Sequence, residues 1–172
     1  MTAKYLRPLD VGRDAEDLHA ALGDEASCLY MPRPATSSVE ETRSQLVQWT
    51  LGEGVHSWSI VHEHDHRALG RVSLFPSRGG QVMEAAVMVV PEARRKGLAR
   101  RAMAEALDFA FDQLNARRVE ADVDPDNAAC LLLFERLGFQ REGHLRAKWQ
   151  THIGVRDTVM LAMLSSDERH WT

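Results

Sequence analysis

The sequence is poor in several features that would assign it to specialised protein classes. Its 172 residues include only two cysteines, Cys28 and Cys130, and neither lies in a C-x-x-C or zinc-finger spacing. No apolar run approaches the length that spans a bilayer, and no secretory segment opens the chain. A length of 172 residues predicts a single domain over residues 1–172. The absences predict reduced thiols in a cytoplasmic protein that makes no membrane contact, and a disulfide between the two cysteines is the alternative.

Positive charge is not in excess, and the common nucleotide-binding loops are missing. The formal net charge is −4 at pH 7, which argues against a partner held through nucleic-acid phosphates. The chain contains neither G-x-x-x-x-G-K-[ST] nor G-x-G-x-x-G, the two commonest phosphate loops. We therefore expect no nucleic-acid partner, and a regulator that binds ATP or NAD is disfavoured.

Three alternating histidines, His62, His64 and His66, raise the question of a metal site. Alternate residues of a strand share a face, so the three imidazoles would converge on zinc if one strand ran through them. Asp65 is typical of a turn, however, and a turn at this position would separate the imidazoles. We expect a hairpin turn here and no metal.

Against this acidic background, one short segment is strongly basic. An apolar run over residues 85–90 leads through Pro91 into a cluster of Arg94, Arg95, Lys96, Arg100 and Arg101 around Gly97. The cluster opens a predicted amphipathic helix, whose first amides lack internal partners and lie at the positive end of the helix dipole. Gly97 removes a side chain where a ligand could approach the backbone closely. The segment predicts a pyrophosphate cradle, and the alternative is a solvated helix start.

The basic segment resembles a known cofactor loop. Its R-x-x-G-x-A pattern, directly after a predicted strand, is similar to the acetyl-CoA loop of the GNAT family of N-acetyltransferases. Residues 124–130 and 134–139 resemble the second cofactor segment of that family, in the same order along the chain. Residues 5–9 and 142–146 are similar to the branch that includes the ribosomal-protein N-terminal acetyltransferases. The resemblance covers nearly the whole chain and implies acetyl-CoA as the acyl donor.

Hydrophobic periodicity and turn residues predict an α+β protein. Strands are expected at about residues 4–9, 58–62, 68–75, 82–90, 118–123, 139–145 and 156–164. Helices are expected at 14–22 with Asp14 as the cap, between Ser38 and Gly52, and at 95–114 and 127–137. Residues 148–154 are expected to interrupt the last two strands. The resemblance implies a mixed, mostly antiparallel seven-stranded sheet with helices on both faces and splayed central parallel strands, 82–90 and 118–123.

The resemblance also assigns residues to the cofactor. The pantetheine arm is expected to pair with the backbone of Met88, Val89 and Val90. The pyrophosphate is expected to lie on the loop and helix start formed by Arg94, Arg95, Lys96, Gly97, Leu98, Ala99 and Arg100. Asn127 matches the family asparagine that meets the pantetheine region, although asparagine is also a good helix cap. Phe134 either packs against the cofactor or is buried in the core.

Two residues are candidates for proton transfer. An amine attacks a thioester only in its neutral form, and Glu84 matches a glutamate often found in this strand of the family, so it is our candidate base. A solvated residue near a strand end is the alternative. Cys130 occupies the position of a serine in the resembled branch, so its thiol is the candidate acid, but a small buried core residue is the alternative that we favour.

These observations predict an acetyl-CoA-dependent N-acetyltransferase that acts on a primary amine by direct attack in a ternary complex. A protein N-terminal α-amine is the first expected acceptor, and a small-molecule amine such as a polyamine or aminoglycoside is the second. A non-catalytic acyl-CoA sensor is a third interpretation, because Phe134 stands where many family members carry a tyrosine and Cys130 stands where the resembled branch commonly has a serine. A homodimer is left open.

Overall fold

The computed structural model describes residues 5–62 and 65–171, which form one seven-stranded sheet and five α-helices. The strands are β1 Leu6–Pro8, β2 His56–His62, β3 Asp65–Pro76, β4 Val82–Val89, β5 Arg118–Val123, β6 Gln140–Thr151 and β7 Gly154–Leu164. The helices are α1 Val11–Leu22, α2 Glu25–Cys28, α3 Val39–Thr50, α4 Leu98–Asp112 and α5 Ala128–Arg136. A 3-10 turn over Pro91–Ala93 precedes α4. The α+β class predicted from the sequence is confirmed.

The strand order is β1-β2-β3-β4-β5-β7-β6, and β4 and β5 are the parallel neighbours among the described strands. Their pairing covers only three positions, from Val82 opposite Arg118 to Glu84 opposite Glu120. Beyond Glu84, β4 continues to Val89 along β3, and β5 continues to Val123 along β7. The two central strands therefore part, which confirms the predicted splay.

Helices cover both faces of the sheet. Alternate residues of a strand point to opposite faces, so Met83 and Ala85 lie on one side of β4 while Glu84 and Ala86 lie on the other. Met83 and Ala85 join the larger apolar core, which includes the buried residues of α4 and α5. A smaller core forms where α1, α2 and α3 pack over the other face. Ala86 remains exposed on that second face, so the sheet floor beside Glu84 is open.

The start of the first helix differs from the sequence prediction. Asp10, not Asp14, is the N-cap, and its carboxylate accepts a hydrogen bond from the Arg13 amide at 3.2 Å. Asp14 is instead fully buried in the first turn, where Arg7 donates two hydrogen bonds of 2.7 Å to its carboxylate. The Ser59 hydroxyl donates a third, at 2.5 Å. The predicted cap at Asp14 is therefore wrong, because the Asp14 carboxylate is engaged by Arg7 and by Ser59 of another strand.

Replacing Asp14 with alanine should lower the free energy of unfolding at pH 7 by about 3–5 kcal/mol, because it leaves the Arg7 guanidinium without its carboxylate. Burial raises the pKa of Asp14, but the hydrogen bonds from Arg7, Ser59, the Asp10 amide and Arg13 outweigh burial and lower it to about 2. A depressed carboxyl pKa stabilises the fold above the unfolded value of about 3.9. The loss in Asp14→Ala should therefore shrink as the pH falls from 4 towards 2.

Urea unfolding of the native protein and of Asp14→Ala, followed from pH 7 to pH 2, measures this difference. The control is Asp126→Ala, which removes an exposed carboxylate from an ion pair with Arg156 and should change stability by less than about 1 kcal/mol. Equal effects of the two substitutions at pH 7 would contradict the role assigned to Asp14.

Two hairpins complete the comparison with the sequence. β2 ends at His62 and β3 begins at Asp65, and these two residues are paired in antiparallel strands, as the expected hairpin requires. Asp65, which was expected in the turn, is the first residue of β3, and His64 lies outside the described residues. The final hairpin is longer than predicted: β6 runs to Thr151 and β7 begins at Gly154, so residues 148–154 do not interrupt the strands. β6 is an edge strand with almost every residue exposed, which hid its strand pattern. No helix within the described ranges has the length and apolar character needed to cross a membrane.

Candidate active site

The cleft between β4 and β5 opens towards two helix N-termini. β4 leads into α4 and β5 leads into α5, and both helices therefore begin at the carboxyl ends of the parallel strands. Ligands of open α/β sheets bind at this edge, where strands part and helix N-termini converge. The predicted cofactor residues on β4, α4 and α5 are thus brought to one side of the molecule.

The N-terminus of α4 is built without a side-chain cap. The N-caps of the other four helices are Asp10, Asp24, Ser38 and Asn127, and each accepts a hydrogen bond through its side chain. The N-cap of α4 is Gly97, which has no side chain and a left-handed φ of 73°. Its carbonyl accepts the Arg101 amide at 3.2 Å, so the amides of residues 98–100 precede the first intrahelical bond.

The space above this turn suits a phosphate group. A Cβ atom added at Gly97 would meet no protein atom within 4 Å, so the backbone faces open space. Arg95 and Lys96 are exposed beside it, and their charges favour an anion at the positive end of the helix dipole. The residues present therefore fit the diphosphate of coenzyme A.

Two arginines of the basic segment are anchored to the protein. Arg94 donates from Nε to the Val89 carbonyl at 3.0 Å and from Nη2 to the Ser27 hydroxyl of α2. Arg100 donates from Nη2 to the carbonyl of His170 at 2.6 Å. Both contribute positive charge to the turn, but these bonds fix the loop against β4 and the C-terminal segment. The sequence alone assigned both to the cofactor and could not reveal these partners.

The end of β4 presents its backbone in two directions. In the register with β3, Met88 lies opposite Arg71, and Val89 lies opposite Gly70. The Val90 amide donates to the Leu69 carbonyl at 3.0 Å, so this group faces β3. Successive residues of a strand direct their amide groups to opposite edges. The Val89 amide therefore faces the cleft. Of the three residues assigned to the pantetheine arm, Val89 is the best placed to pair with that arm.

The start of α5 contains the remaining predicted residues. Asn127 is the N-cap, and its Oδ1 accepts a hydrogen bond from the Cys130 amide at 3.2 Å, which confirms the capping alternative. Phe134 is only 2% exposed, and its ring centroid lies 4.9 Å from that of Phe139 in an edge-to-face contact. This burial favours the core alternative for Phe134. The cofactor roles of Asn127 and Phe134 stay predictions.

Cys130 is a poor candidate for the proton donor. Burial raises the pKa of its thiol to about 12. A typical free thiol has a pKa near 8.5, so the raised pKa makes Cys130 a weaker acid than the thiol that leaves. The geometry favours the alternative that Cys130 is a small apolar residue of the helix face.

The substitution Cys130→Ala should therefore leave kcat within about twofold of the native value, because a neutral, partly buried thiol contributes packing and not proton transfer. The matched comparison is Cys130→Ser, which restores a hydroxyl of the kind found in the resembled branch. Steady-state rates for both variants between pH 6 and pH 9 measure the effect. A tenfold drop in Cys130→Ala that Cys130→Ser rescues would instead identify a donor.

Carboxylates surround the point where β4 and β5 part. Glu84 keeps contact with solvent, but the surrounding protein partly buries it, and this burial raises its pKa. The negative charges of Asp122 and then Glu120, on the same face of β5, raise the pKa further. Glu120 is held by Arg118 at 2.8 Å, and Asp122 accepts a hydrogen bond from the Trp149 indole at 2.9 Å.

Sequence reasoning identified Glu84 and missed its two neighbours. Glu120 and Asp122 alternate along β5, which is the pattern of one polar face on a buried strand. That signal gains meaning only once β5 is placed in parallel beside β4, with Glu120 directly opposite Glu84. The arrangement can hold an ammonium group and accept a proton from it.

Comparison with known proteins agrees with this geometry. Residues 5–140 match the acetyltransferase (GNAT) domain family. The Bacillus subtilis protein named Probable N-acetyltransferase YjcK is 30% identical over 95% of both chains. The crystal structure of a GNAT-family acetyltransferase from Bacillus anthracis is 21% identical with a TM-score of 0.85, covering 97% of this chain and 99% of that one.

A further structural neighbour, spermidine N-acetyltransferase from Vibrio cholerae, was solved in complex with CoA and spermine. It is 23% identical with a TM-score of 0.80 and covers 94% of this chain and 95% of that chain. At this identity the likeness concerns the fold. Together with the sequence match over most of the chain, these comparisons establish that the protein belongs to the GNAT family of acetyltransferases, is an N-acetyltransferase and uses acetyl-CoA as its acyl donor.

Proposed function

We propose that this protein transfers an acetyl group from acetyl-CoA directly to a primary amine, with Glu84 as the general base. One observation supports the proposal most strongly. Glu84 is the last residue of β4 that pairs with β5, and β4 continues from there to the open turn at Gly97. The raised pKa of Glu84 suits a group that must take a proton near neutral pH. Donor and base would thus meet in one cleft.

Different residues of the cleft would bind acetyl-CoA and remove the proton of the acceptor. The amides of residues 95–100 hold the diphosphate, and the backbone of β4 around Val89 aligns the pantetheine arm. Bound acetyl-CoA supplies an acetyl group activated as a thioester. Glu84, assisted by the charges of Glu120 and Asp122, attracts the ammonium form of the acceptor and takes its proton. Solvent can protonate the leaving thiolate, so no protein acid is required.

The finer proposal is that the acceptor is an α-amine, such as the N-terminus of a protein. The pKa of an α-amine lies near 7.7–8.0, whereas that of a lysine-type amine lies near 10.4. For these pKa values, transfer of a proton to a carboxylate costs about 3 kcal/mol less from an α-ammonium than from a lysine-type ammonium. The resemblance of residues 5–9 and 142–146 to the ribosomal-protein N-terminal acetyltransferases supports the same acceptor.

A polyamine is the second candidate acceptor. A segment that makes up 46% of this chain is 31% identical to the spermidine N(1)-acetyltransferase of Vibrio cholerae. The carboxylates around Glu84 would attract a polycation. The two candidates differ in what they demand of the rest of the acceptor groove, because a polyamine carries further positive charge there.

Release of free thiol from acetyl-CoA, measured with a panel of peptides, amino acids, alkylamines and polyamines, tests the proposal. We expect turnover with at least one α-amine acceptor and a product acetylated on nitrogen by mass spectrometry. Acetyl-CoA binding by calorimetry, together with no turnover for any amine, would contradict the proposal and favour the non-catalytic sensor.

A further inference from the structure

Arg71 is a buried cation on the sheet face that bears Glu84. It lies in the middle of β3, between Ser59 of β2 and Met88 of β4, and is only 7% exposed. Arg71 and Phe75 are four residues apart in β3, so they share the sheet face that also bears Glu84, the partner of Phe75 in β4. A charged side chain this deeply buried ordinarily has a carboxylate partner.

No such partner is present among the described residues. The Nε and Nη2 atoms of Arg71 are both buried and both lack a hydrogen-bond acceptor. Asp14, which bonds Ser59 on the neighbouring strand, is already engaged by Arg7. Burial alone lowers the pKa of Arg71 to about 10, so the guanidinium stays charged at neutral pH.

Two aromatic rings hold the guanidinium in place. Its Cζ atom lies 4.8 Å from the ring centroid of Trp49 in α3 and 5.8 Å from that of Phe75. Ring faces stabilise a cation but accept none of its in-plane N–H groups as a carboxylate would. Trp49 and Phe75 are themselves partly exposed, so only these two rings separate the Arg71 guanidinium from solvent on this side.

The two unpartnered atoms form one edge of the guanidinium. Nε and Nη2 donate in parallel from the same side of the planar group, which matches the two oxygens of a carboxylate. The side chain reaches from Arg71 towards Phe75, whose Cα lies about 13 Å further along the strand. Phe75 is directly opposite Glu84. This sheet face thus bears carboxylates around Glu84 and, near Phe75, a cation whose Nε–Nη2 edge is open.

We propose that Arg71 binds a carboxylate of the acceptor, so that the substrate is an amine that carries a carboxylate several bonds from its nitrogen. This inference rests on the proposed function and deepens it. The ammonium end of such a molecule lies at Glu84, Glu120 and Asp122, and the carboxylate end pairs with the Nε–Nη2 edge of Arg71. A polyamine would place positive charge against Arg71 and is disfavoured. An amino acid and a peptide with an acidic side chain share the required chemistry.

Matched acceptors test the charge arrangement. The panel contains ω-amino acids from three to six carbons, n-alkylamines of the same lengths and the corresponding diamines. A second pair consists of short peptides with glutamate or glutamine at the second position. In the series that the enzyme prefers, we expect kcat/KM to be about 30-fold higher for the acceptor with a carboxylate than for the acceptor of equal length without one. The diamines should have the lowest kcat/KM. Preference within the first or the second series distinguishes a free amino acid from a peptide.

Three variants assign that preference to Arg71. Arg71→Met keeps a long apolar stem, and Arg71→Lys keeps the charge but loses the planar fork. The control is Arg78→Gln, which removes an exposed arginine from the turn after β3. Arg71→Met should reduce the 30-fold preference to about onefold, so that each carboxylate acceptor and its uncharged match have the same kcat/KM in this variant. Arg71→Lys should keep only part of the preference, and Arg78→Gln should keep all of it. Far-ultraviolet circular dichroism checks that each variant is folded.

Binding provides a readout that does not depend on turnover. A carboxylate can reach Arg71 only if the ring of Trp49 or Phe75 shifts, so addition of 6-aminohexanoate or the glutamate peptide should change tryptophan fluorescence. The change should disappear in Trp49→Phe and in Arg71→Met. If thiol release fails for every amine but this change is seen, the proposed reaction fails and the carboxylate site stands. Equal kcat/KM for carboxylate and uncharged acceptors, or a preference retained in Arg71→Met, overturns the inference about Arg71.

Discussion

Replacing Gly97 with valine should weaken acetyl-CoA binding by about 100-fold, or about 2.8 kcal/mol. A branched side chain at this position would project into the open space above the first amides of α4, where the diphosphate is held. It would also resist the left-handed φ of 73°, which favours glycine, so the turn itself would shift. Calorimetric titration with acetyl-CoA measures the loss.

Gly80 provides a matched control for Gly97. It has a similar left-handed φ of 65°, and a Cβ atom added there would likewise meet nothing within 4 Å, but it lies in the turn before β4. Gly80→Val should therefore lose similar stability, about 1–2 kcal/mol, and bind acetyl-CoA normally. If Gly97→Val and Gly80→Val kept the same affinity for acetyl-CoA, the cradle at α4 would be refuted.

Replacing Glu84 with glutamine should lower kcat by about 10²–10⁴-fold at neutral pH and leave the affinity for acetyl-CoA unchanged. The native rate should rise with pH as Glu84 loses its proton, and this limb of the profile should start above the ordinary glutamate range because the Glu84 pKa is raised. Glu84→Gln should lose that limb and retain only the limb that belongs to the acceptor amine. Rates from pH 5 to pH 10 measure both features.

Stability gives an independent check on Glu84. A folded-state pKa raised above the unfolded value means that the folded protein binds the proton more tightly, so stability falls as the pH rises through the folded pKa. Glu84→Gln should therefore be more stable than the native protein at pH 7, and this gain should vanish below pH 4. The control is Glu53→Gln, an exposed loop residue, which should alter neither rate nor stability. An unchanged pH–rate profile in Glu84→Gln would reject the base.

The opposite signs of these effects describe the site in physical terms. Burial, and then the charges of Asp122 and Glu120, make the folded protein less stable when Glu84 is ionised, and the same effects make Glu84 a stronger base. Arg71 is buried and has no carboxylate partner among the described residues, which is a second arrangement that does not stabilise the fold as well as a paired charge would. Both arrangements are satisfied by one zwitterionic acceptor.

Local patterns in the sequence were sufficient to predict much of the fold. β5 has the predicted bounds, because three buried apolar residues alternate with polar ones along it. The cap at Ser38 was predicted from its own four-residue pattern, and the Glu41 amide donates to its hydroxyl at 3.2 Å. The helix start at Gly97 could be predicted because a strand, a proline and a glycine follow one another in the sequence, while the binding of a diphosphate there stays a prediction.

Features that depend on distant partners could not be predicted in this way. Asp14 resembles a helix cap until β1 places Arg7 against it and β2 places Ser59 there. Arg71 resembles the solvent-facing residue of an alternating strand until α3 covers it with Trp49, which lies 22 positions earlier in the chain. The register of β4 with β5 decides which carboxylates surround Glu84, and sequence periodicity does not determine register between strands so far apart.

A crystal structure of the complex with acetyl-CoA tests the central claim most directly. We expect diphosphate oxygens within about 3 Å of the amides of Leu98, Ala99 and Arg100, with the thioester between the splayed ends of β4 and β5. Diphosphate bound elsewhere, for example in the depression lined by Tyr5, Lys96 and Arg101, would contradict it.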